Sequence, residues 1–528
     1  MAHKVKVCVI GAGVSGLKAA HTLVSSRNTP FSAEDVLILE AQDRIGGRIK
    51  TDKTLSKCNA SYDLGASWFH DVLTNSVLRD SMAMGLFDPS RDGYFDDKPT
   101  AYHVLEKLGK LEIYDLKLKQ VMDDIESFIE LYYARLDAVD MSLKSIVEVY
   151  MKTQDKLLTG EQKEYCGRMM RYMELWYGID YEKISGKYAV MRHQGRNLFN
   201  KKGYSYLIDH LARPLHSRIM KSKPVKCIRR KSGKRDSFHT VITTDGTQIE
   251  ADYLVVTVPH SILVLEESHE YSLVWQPPLP KHMTESFQSI HFGALGKVII
   301  EFDQVWWDMN EERFTVLAHD RSEGFNNYHI DDLKPQPFEY PIYVVNHAKI
   351  HPGSNSLIVL TQSPVTEYLE QNPHEAWNYL QPLLQTIHVD SRPTQDGMAV
   401  FLIEHNIEPL NVIVTDWTQN PYIRGSYCAL HVDDDPIDEL IQLSGEHDVC
   451  GLGAGSTIRF AGEHTAADGA GCVHGAYDSG TRAANWILQH ETSTATTVNS
   501  SHFPGNSPTE DTTSGSGNMG DLLKSAFY

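Results

Sequence analysis

The feature that most constrains this chain is a glycine-rich turn directly after its first apolar run. Residues 5–10 have the apolar character of a buried strand, and the turn Gly11-Ala12-Gly13-Val14-Ser15-Gly16 follows at once. A helical pattern over residues 17–23 and a second apolar run over residues 36–39 complete the unit. A lone glycine motif would fit any glycine-rich loop, but this strand, turn, helix and strand order is typical of dinucleotide binding.

The glycines of the turn have separate tasks in such a unit. Gly11 permits the tight turn, Gly13 lets the backbone approach a pyrophosphate, and Gly16 lets the helix pack against the strand. The free N–H groups that open the helix face the phosphates. Glu40 ends the second strand, where a carboxylate can hold ribose hydroxyls and disfavours a 2′-phosphate. The predicted dinucleotide contacts are therefore Gly11, Gly13, Val14, Ser15, Gly16 and Glu40.

A second motif, Arg44-Ile45-Gly46-Gly47-Arg48, follows soon after Glu40. Its glycines allow close backbone approach, and its two arginines can neutralise a diphosphate. A basic surface turn would explain neither the glycines nor the position. At this motif the chain resembles the flavin-dependent amine oxidase family, in which the segment reads RxGGR. The resemblance implies that the dinucleotide is FAD.

The resemblance covers residues 5–489 and includes further flavin motifs in the family's order. Residues 65–68 match a segment that passes beside the flavin, and residues 251–259 match a strand of the FAD domain. Residues 458–476 match the last motif, in which an acid binds ribityl or ribose hydroxyls and a helix start faces the flavin O2 edge. The cofactor contacts that the resemblance implies are Arg48, Gly65, Ala66, Ser67, Trp68, Val225, Trp417, Glu463, Gly471, Cys472 and Val473.

Residues 416–427 carry the W-x-x-x-P-x-x-x-G-x-Y pattern of the same family. Trp417 would pack on the flavin, and Tyr427 would form one wall of an aromatic slot that admits an amine. Monoamine oxidases place a cysteine just before this tyrosine and bond it to the flavin ring. This chain has Ser426 there, and Cys428 falls on the other side of the tyrosine. We therefore expect non-covalent FAD.

Three residues are predicted to be catalytic: Lys297, His70 and Tyr427. Lys297 interrupts an apolar strand, and a lysine that snorkels from a strand end would explain it. The family, however, has a lysine after the same G-x-x-x-K turn, where it holds a water against flavin N5. His70 would stand at the mouth of the reaction site, although a hydrogen-bonded structural histidine is the alternative.

The predicted substrate contacts rest on the resemblance and on local composition. Asp97 ends an acidic loop over residues 92–97 and would hold the distal ammonium of a polycation; a solvated turn is the default explanation. Asn197 ends the sequence HQGRN and would bond to a substrate amine or simply form a turn. The full set is His70, Asp97, Trp176, Asn197, Leu360 and Tyr427.

The predicted fold is α/β, with a discontinuous Rossmann-like FAD-binding domain and an α+β substrate-binding domain of amine oxidase type. We assign residues 1–75, 204–290 and 441–490 to the first domain, and residues 76–203 and 291–440 to the second. Apolar spacing predicts helices over residues 102–178. Residues 491–528 are rich in serine, threonine, glycine and asparagine and predict a disordered tail.

Composition excludes several classes of function. A formal net charge of −19 argues against nucleic acid and anionic membranes, and it permits a cationic substrate. We expect no membrane partner, because no secretory leader and no apolar run of membrane-spanning length is present. The seven scattered cysteines lack metal-site spacing, which predicts a reducing, cytoplasmic setting and no metal. The sequence is compatible with a homodimer but does not determine the oligomeric state.

Within the family, the sequence motifs of this chain are most similar to those of the fungal polyamine oxidases. The shared motifs are ASW-x-H-D, HQGRN, HFGALGKV and AGEHT-xx-DGAGC. The resemblance implies oxidation of spermine or N-acetylated polyamines by O2 to a shorter polyamine, an aminoaldehyde and H2O2. A monoamine oxidase-like enzyme is one alternative, but the flavin-linking cysteine and a membrane anchor are missing. A histone demethylase would need a coiled-coil insertion. The third alternative is a flavoprotein that binds an apolar ligand such as a corticosteroid, because a fungal corticosteroid-binding protein resembles this family too.

Overall fold

The computed structural model describes residues 3–95, 97–107, 109–190, 195–231, 238–319, 334–388, 407–444, 452 and 455–500. Predictions that fall on residues 193–194, 450 and 501–528 lie outside this part of the chain. None of the described helices is both long enough and apolar enough to cross a membrane.

The described strands form two main sheets and several short ladders. In chain order they are β1 (His3–Ile10), β2 (Val36–Leu39), β3 (Thr51–Asp52), β4 (Tyr62–Asp63), β5 (Trp68–Phe69), β6 (Gly93–Phe95), β7 (Ala101–His103), β8 (Leu198–Asn200), β9 (Ile219–Met220), β10 (Val225–Arg229), β11 (His239–Thr243), β12 (Gln248–Val256), β13 (Val274–Gln276), β14 (His291–Phe292), β15 (Gly296–Glu301), β16 (Arg313–Val316), β17 (Ile342–Asn346), β18 (Ser356–Thr361), β19 (Asn411–Val414), β20 (Cys428–Ala429) and β21 (Ile458–Phe460).

The described α-helices pack on these sheets or form a separate layer. They are α1 (Val14–Ser25), α2 (Ser76–Ala83), α3 (Pro89–Asp92), α4 (Leu118–Tyr133), α5 (Leu143–Thr153), α6 (Gly160–Met170), α7 (Tyr172–Tyr177), α8 (Gly186–Ala189), α9 (Ser205–Ala212), α10 (His260–Leu263), α11 (Lys281–Ser286), α12 (His347–Ile350), α13 (Val365–Gln371), α14 (Ala376–Gln385), α15 (Pro436–Ser444) and α16 (Val473–Ser500).

The first main sheet has the order β13-β10-β11-β12-β1-β2-β9, and β21 also pairs with β12. At its centre β1 runs parallel to both β2 and β12, with Cys8 opposite Leu37 and Leu254. Parallel strands need cover on both faces, and the last four residues of β1 and all of β2 are buried, as that rule requires. Helices α1 and α16 pack closely on one face, where an added Cβ at Gly480 would overlap Ser15 O.

The second main sheet has the order β19-β15-β18-β17-β16-β7. Its neighbours are antiparallel except for β16 and β7, which are parallel. In this sheet Lys297 on β15 lies opposite Leu360 on β18. A layer of helices that includes α4, α5 and α6 packs beside it around Ile125, Ile146 and Met169.

Three local predictions are wrong in part. The segment predicted to be helical from residue 102 begins with strand β7, and the first helix after it starts at Leu118. The residues between them form turns, and Leu111 N donates to Tyr102 O of β7. Leu131 fits the apolar spacing on which the helix prediction for residues 102–178 rests, but it is 72% exposed. The loop predicted at residues 92–97 contains β6, which pairs with β8 and is fixed by that distant partner.

The predicted tail is helical over its first ten residues, because α16 continues to Ser500. His490 stacks on Trp486 with ring centroids 4.8 Å apart and hydrogen-bonds through Nδ1 to Tyr253 OH at 2.9 Å. The Thr492 and Ser493 hydroxyls donate to carbonyl oxygens one turn earlier. The helix continues here although the sequence lacks apolar residues at helical spacing, so hydrophobic periodicity did not predict it.

Candidate functional site

A cavity of about 810 Å³ joins the two main sheets. It runs from the glycine turn after β1, past β15, to the aromatic residues of α7. All residues predicted at the site line it except Gly16, Arg44 and Asp97. The fold therefore brings together segments that are separated by up to several hundred residues in the chain.

At one end of the cavity the glycine turn exposes its main chain. An added Cβ at Gly11, where φ is +107°, would overlap Thr257 Oγ1, and one at Gly16 would overlap Gly11 O. At Gly13 an added Cβ would meet no atom within 4 Å, because this position faces the open cavity. The turn thus presents bare backbone beside the N-terminus of α1, which fits the pyrophosphate of a dinucleotide.

Glu40 fixes the turn to the end of β2. Its Oε2 accepts from Ala12 N at 2.7 Å and its Oε1 from Gln42 N at 2.9 Å. Burial raises the pKa of Glu40, and the two amide hydrogen bonds oppose that rise. The carboxylate still lines the cavity, so the predicted ribose contact is compatible with its place.

The two arginines of the second motif have different tasks. Arg44 donates to the carbonyl oxygens of Ile45, Gly47 and Ile49, and it does not line the cavity. A direct contact between Arg44 and a diphosphate is therefore not supported, because its guanidinium already donates to three carbonyl oxygens of its own turn. Arg48 does line the cavity.

An ion pair between Arg48 and Glu463 closes the middle of the site. Arg48 Nη1 donates to Glu463 Oε1 and to Ser426 O, each at 2.8 Å, and Gly471 N donates to Glu463 Oε2 at 3.0 Å. Burial acts to raise the pKa of Glu463, but the charge of Arg48 and the hydrogen bonds from Arg48 and Gly471 N act against it, and the pKa is lowered. The ionised carboxylate joins three remote segments around the cavity.

Lys297 is 6% exposed and lies fully inside the fold. Its Nζ donates to the carbonyl oxygens of Asp63 (2.8 Å) and Gly65 (2.5 Å) and to Ser67 Oγ (2.6 Å). Burial lowers the pKa of Lys297, and the charge of Asp63 opposes the shift. The snorkelling alternative is therefore wrong, and the predicted role of Lys297 beside the flavin stays a prediction.

Aromatic side chains form the other end of the cavity. The Tyr427 hydroxyl donates to Trp176 O, and the Trp176 ring centroid is 5.7 Å from that of Tyr343. Tyr172 and Tyr177, on the same short helix α7, also line this end. Trp176 is 40% exposed, which places it at the mouth.

His70 and Asn197 lie together in the cavity wall, with His70 Nδ1 3.2 Å from Asn197 Oδ1. Asp97, by contrast, pairs with Arg196 at 2.7 Å and has a half-exposed side chain. The guanidinium of Arg196 in turn lies 3.8 Å from the centroid of the Phe95 ring. The placement of Asp97 at the substrate site is therefore not supported, because its carboxylate has a basic partner outside the cavity lining.

Several lining residues were missed from the sequence. Tyr172 and Tyr177 flank the predicted Trp176 on one helix, so helical spacing contained a usable signal. Tyr343 and Arg313 come from β17 and β16, and nothing local in those strands marked them. The carboxylates that line the cavity within the described residues are Glu40, Glu270 and Glu463.

The position of a flavin-linking cysteine is taken by Ser426. It lines the cavity, and its Oγ accepts from Leu295 N at 2.9 Å. Cys428 does not line the cavity. The described cysteines, Cys8, Cys58, Cys166, Cys227, Cys428 and Cys472, are unpaired.

Comparison with known proteins agrees with this geometry. A family model described as flavin containing amine oxidoreductase matches residues 14–488. A corticosteroid-binding protein of Candida albicans is 50% identical over 488 residues, which cover 92% of this chain and 96% of that protein. Polyamine oxidase 4 of Oryza sativa subsp. japonica is 26% identical over 490 residues, covering 91% and 88%.

A solved structure of putrescine oxidase bound to putrescine matches with a TM-score of 0.62. It covers 93% of this chain and 100% of that chain at 16% identity, so it shows the fold alone. The predicted α/β fold of amine oxidase type and the FAD cofactor are confirmed. The chain thus belongs to the flavin containing amine oxidoreductase family and is an FAD-dependent amine oxidase.

Proposed function

We propose that this amine oxidase acts on polyamines, with spermine or N-acetylated polyamines as substrates. The observation that carries the proposal is one continuous cavity that joins the glycine turn to an aromatic-walled end beside buried Lys297. The several relatives named polyamine oxidases, at 26% identity over about nine-tenths of this chain, support the same substrate class.

Bound FAD supplies the two-electron oxidation of the carbon next to the amine nitrogen. Glu40, Arg48 and the glycine turn would hold it, as their places in the cavity allow. In the overall change the amine, O2 and water give an aldehyde, a shorter amine and H2O2. The chain contributes binding, orientation and exclusion of water.

The aromatic end suits an aliphatic amine for two reasons. The faces of Trp176, Tyr343 and Tyr427 can attract an ammonium group through their ring quadrupoles, and they are apolar enough to hold methylene segments. The nitrogen that reacts must be neutral, so it needs no carboxylate beside it. The remaining charges of a polyamine would lie against the rings and at the exposed mouth near Trp176.

The test is anaerobic reduction of the bound flavin by a panel of amines. Spermine, N-acetylspermine and spermidine should bleach the flavin absorbance, and aerobic turnover should release one H2O2 per aldehyde. Benzylamine is the matched control with one nitrogen. Bleaching by benzylamine but by no polyamine would replace this proposal with a monoamine oxidase-like activity.

A second candidate, binding of an apolar ligand such as a corticosteroid, is favoured by one observation. The Candida albicans relative at 50% identity carries that name, and the rings of Trp176, Tyr343 and Tyr427 give one end of the cavity apolar walls. A corticosteroid titration on the same flavin-loaded preparation decides between the two. Saturable steroid binding without flavin bleaching by any amine would favour a binder, and bleaching with no steroid binding would favour the oxidase.

The cellular setting is also a proposal. The scattered, unpaired cysteines support a reducing, cytoplasmic location. Fractionation of cells that express the full chain would test it, and enrichment in an oxidising compartment would contradict it. Sedimentation of the purified protein would decide whether a homodimer forms.

A further inference from the structure

Two tyrosines without a predicted role meet in the wall of the cavity. Tyr271 and Tyr422 are remote from each other in the chain, and both are half-buried and line the cavity. Their ring centroids are 5.4 Å apart, and the ring planes make an angle of 87°. This edge-to-face arrangement is favourable, because the positive edge of one ring meets the negative face of the other. The pair thus connects two segments of the cavity wall.

Tyr271 belongs to the segment that enters β13. Strands β10 and β13 are parallel neighbours, so the residues before β13 lie beside the start of β10. Lys226 Nζ, on β10, donates to Glu270 O at 3.0 Å, which agrees with this register. Tyr271 therefore lies beside Val225, the predicted adenine contact, and both residues line the cavity.

Tyr422 is held near the predicted ribose contact by a series of hydrogen bonds. Tyr422 N donates to Asn420 Oδ1 at 3.0 Å, and Asn420 Nδ2 donates to Gln42 Oε1 at 2.9 Å. Gln42 N in turn donates to Glu40 Oε1 at 2.9 Å. The turn that carries the Tyr422 ring is therefore fixed to the end of β2.

The predicted ribose and adenine contacts are themselves neighbours in the fold. Lys223 N donates to Glu40 O at 2.8 Å, and Lys223 comes two residues before Val225. The two tyrosine rings therefore meet at the end of the cavity where the adenosine half of a dinucleotide is predicted to lie.

We propose that Tyr271 and Tyr422 form a clamp on the adenosine half of FAD, and that this clamp slows release of the cofactor. The rings offer apolar surface to the adenosine, and each ring holds the other in place. A wall that is ordered before binding loses little freedom when the cofactor binds, so more of the contact energy retains it. The inference depends on the family's cofactor, not on which amine is oxidised.

The test measures the rate at which FAD leaves the flavin-loaded protein without any amine. The protein is diluted, released FAD is separated by filtration at intervals, and its absorbance is recorded. Tyr271→Ala and Tyr422→Ala should each raise the release rate about tenfold, because each removes apolar contact and breaks the ring pair. The double variant should release FAD little faster than either single variant, since each ring is held by the other. A failure to oxidise polyamines would not affect this measurement.

Tyr132→Ala is the matched control. Tyr132 also forms an edge-to-face pair, with its ring centroid 5.0 Å from that of Tyr133, but neither residue lines the cavity. This variant should release FAD at the wild-type rate. Tyr422→Phe keeps the ring and should stay within about twofold of the wild-type rate. Thermal unfolding identifies the variants that fold, and Tyr271→Leu, which lacks the flat ring, replaces an alanine variant that does not.

Three results would overturn the inference. The first is release at the wild-type rate in every folded variant that lacks one ring of the clamp. The second is an equal acceleration in Tyr132→Ala, which would show a general loosening of the fold. The third is a double variant in which the two single effects multiply in full, which would show that the rings act separately.

Discussion

The two ends of the cavity are built by different means. The cofactor end depends mainly on main chain, from a glycine turn and a helix N-terminus, and adds one side-chain ion pair between Arg48 and Glu463. The amine end consists of side chains, with rings delivered by α7, β17 and the segment before β20. A main-chain site tolerates few residue types, whereas a side-chain site can be assembled from many. Substitutions at the cofactor end should therefore have large effects, and substitutions at the amine end should have smaller ones.

The largest effect is expected from Gly13→Val at the cofactor end. The Cβ of the new side chain would meet no protein atom within 4 Å, but the side chain would occupy the space where a pyrophosphate approaches. Affinity for FAD should fall by at least about 100-fold, or 2.7 kcal/mol, with little loss of folding. Flavin-to-protein absorbance ratio and thermal unfolding measure the two quantities. Gly160→Val is the control, since its added Cβ also meets nothing; full flavin content in Gly13→Val would refute this account.

Lys297→Met tests the boundary between the two ends. Flavin reduction or reoxidation should slow on the order of 100-fold, because a positioned proton donor is lost, while FAD stays bound. Stopped-flow absorbance separates the two half-reactions, and flavin content is measured on the same sample. A colourless Lys297→Met protein would instead assign this lysine to holding the segment of Gly65 and Ser67 in place.

The pH dependence should also separate the ends. An alkyl amine has a pKa near that of lysine, so its neutral fraction rises about tenfold per pH unit below about pH 10. From neutral to mildly alkaline pH, kcat/KM should rise accordingly. Flavin content should stay constant, because the lowered pKa of Glu463 keeps its carboxylate ionised there. A flat rate profile over this range would contradict the requirement for a neutral amine.

Trp176→Ala should affect the amine end alone. Loss of one ring face costs roughly 0.5–2 kcal/mol of cation–π attraction, so KM for a polyamine should rise up to about tenfold. Steady-state kinetics and flavin content are the measurements. Tyr114→Ala, at an aromatic residue that is 58% exposed and outside the cavity lining, is the control. An unchanged KM would remove Trp176 from the substrate contacts.

The smallest effect is expected from Asp97→Asn. The side chain is half exposed and pairs with Arg196, and exposed pairs contribute about 0–1 kcal/mol. KM for spermine should change less than about twofold. Asp155→Asn, at another exposed acid paired with a lysine, is the control. A tenfold rise in KM confined to Asp97→Asn would restore the predicted anchor for the distal ammonium.

Sequence reasoning reached the cofactor end because its requirements are local. Gly11, Gly13 and Gly16 sit at fixed spacing, and their neighbours in the chain are also their neighbours in space. Lys297 stood out as a charge that interrupts an apolar strand, and its role was implied by the family resemblance, although its three acceptors lie more than two hundred residues away. The fold class followed from the same local patterns.

The amine end was reached only in part because its geometry is set by tertiary packing. Tyr343 is one ring on a fully buried strand, and its neighbours in the chain give no hint that it faces a cavity. Asp97 offered a carboxylate that could bind an ammonium group, but in the folded chain this carboxylate pairs with Arg196. Such pairings are invisible until the chain is folded.

The order of strands in the first sheet has a consequence for synthesis. The last three residues of β12 pair with β21, and α1 packs on α16, so these elements are completed by residues that are synthesised much later. Until then Leu254 to Val256 presents an apolar edge without its final partner. Nascent chains of this protein should therefore depend on chaperones until residue 458 and the helix beyond it have emerged, and stalling before that point should expose them to aggregation.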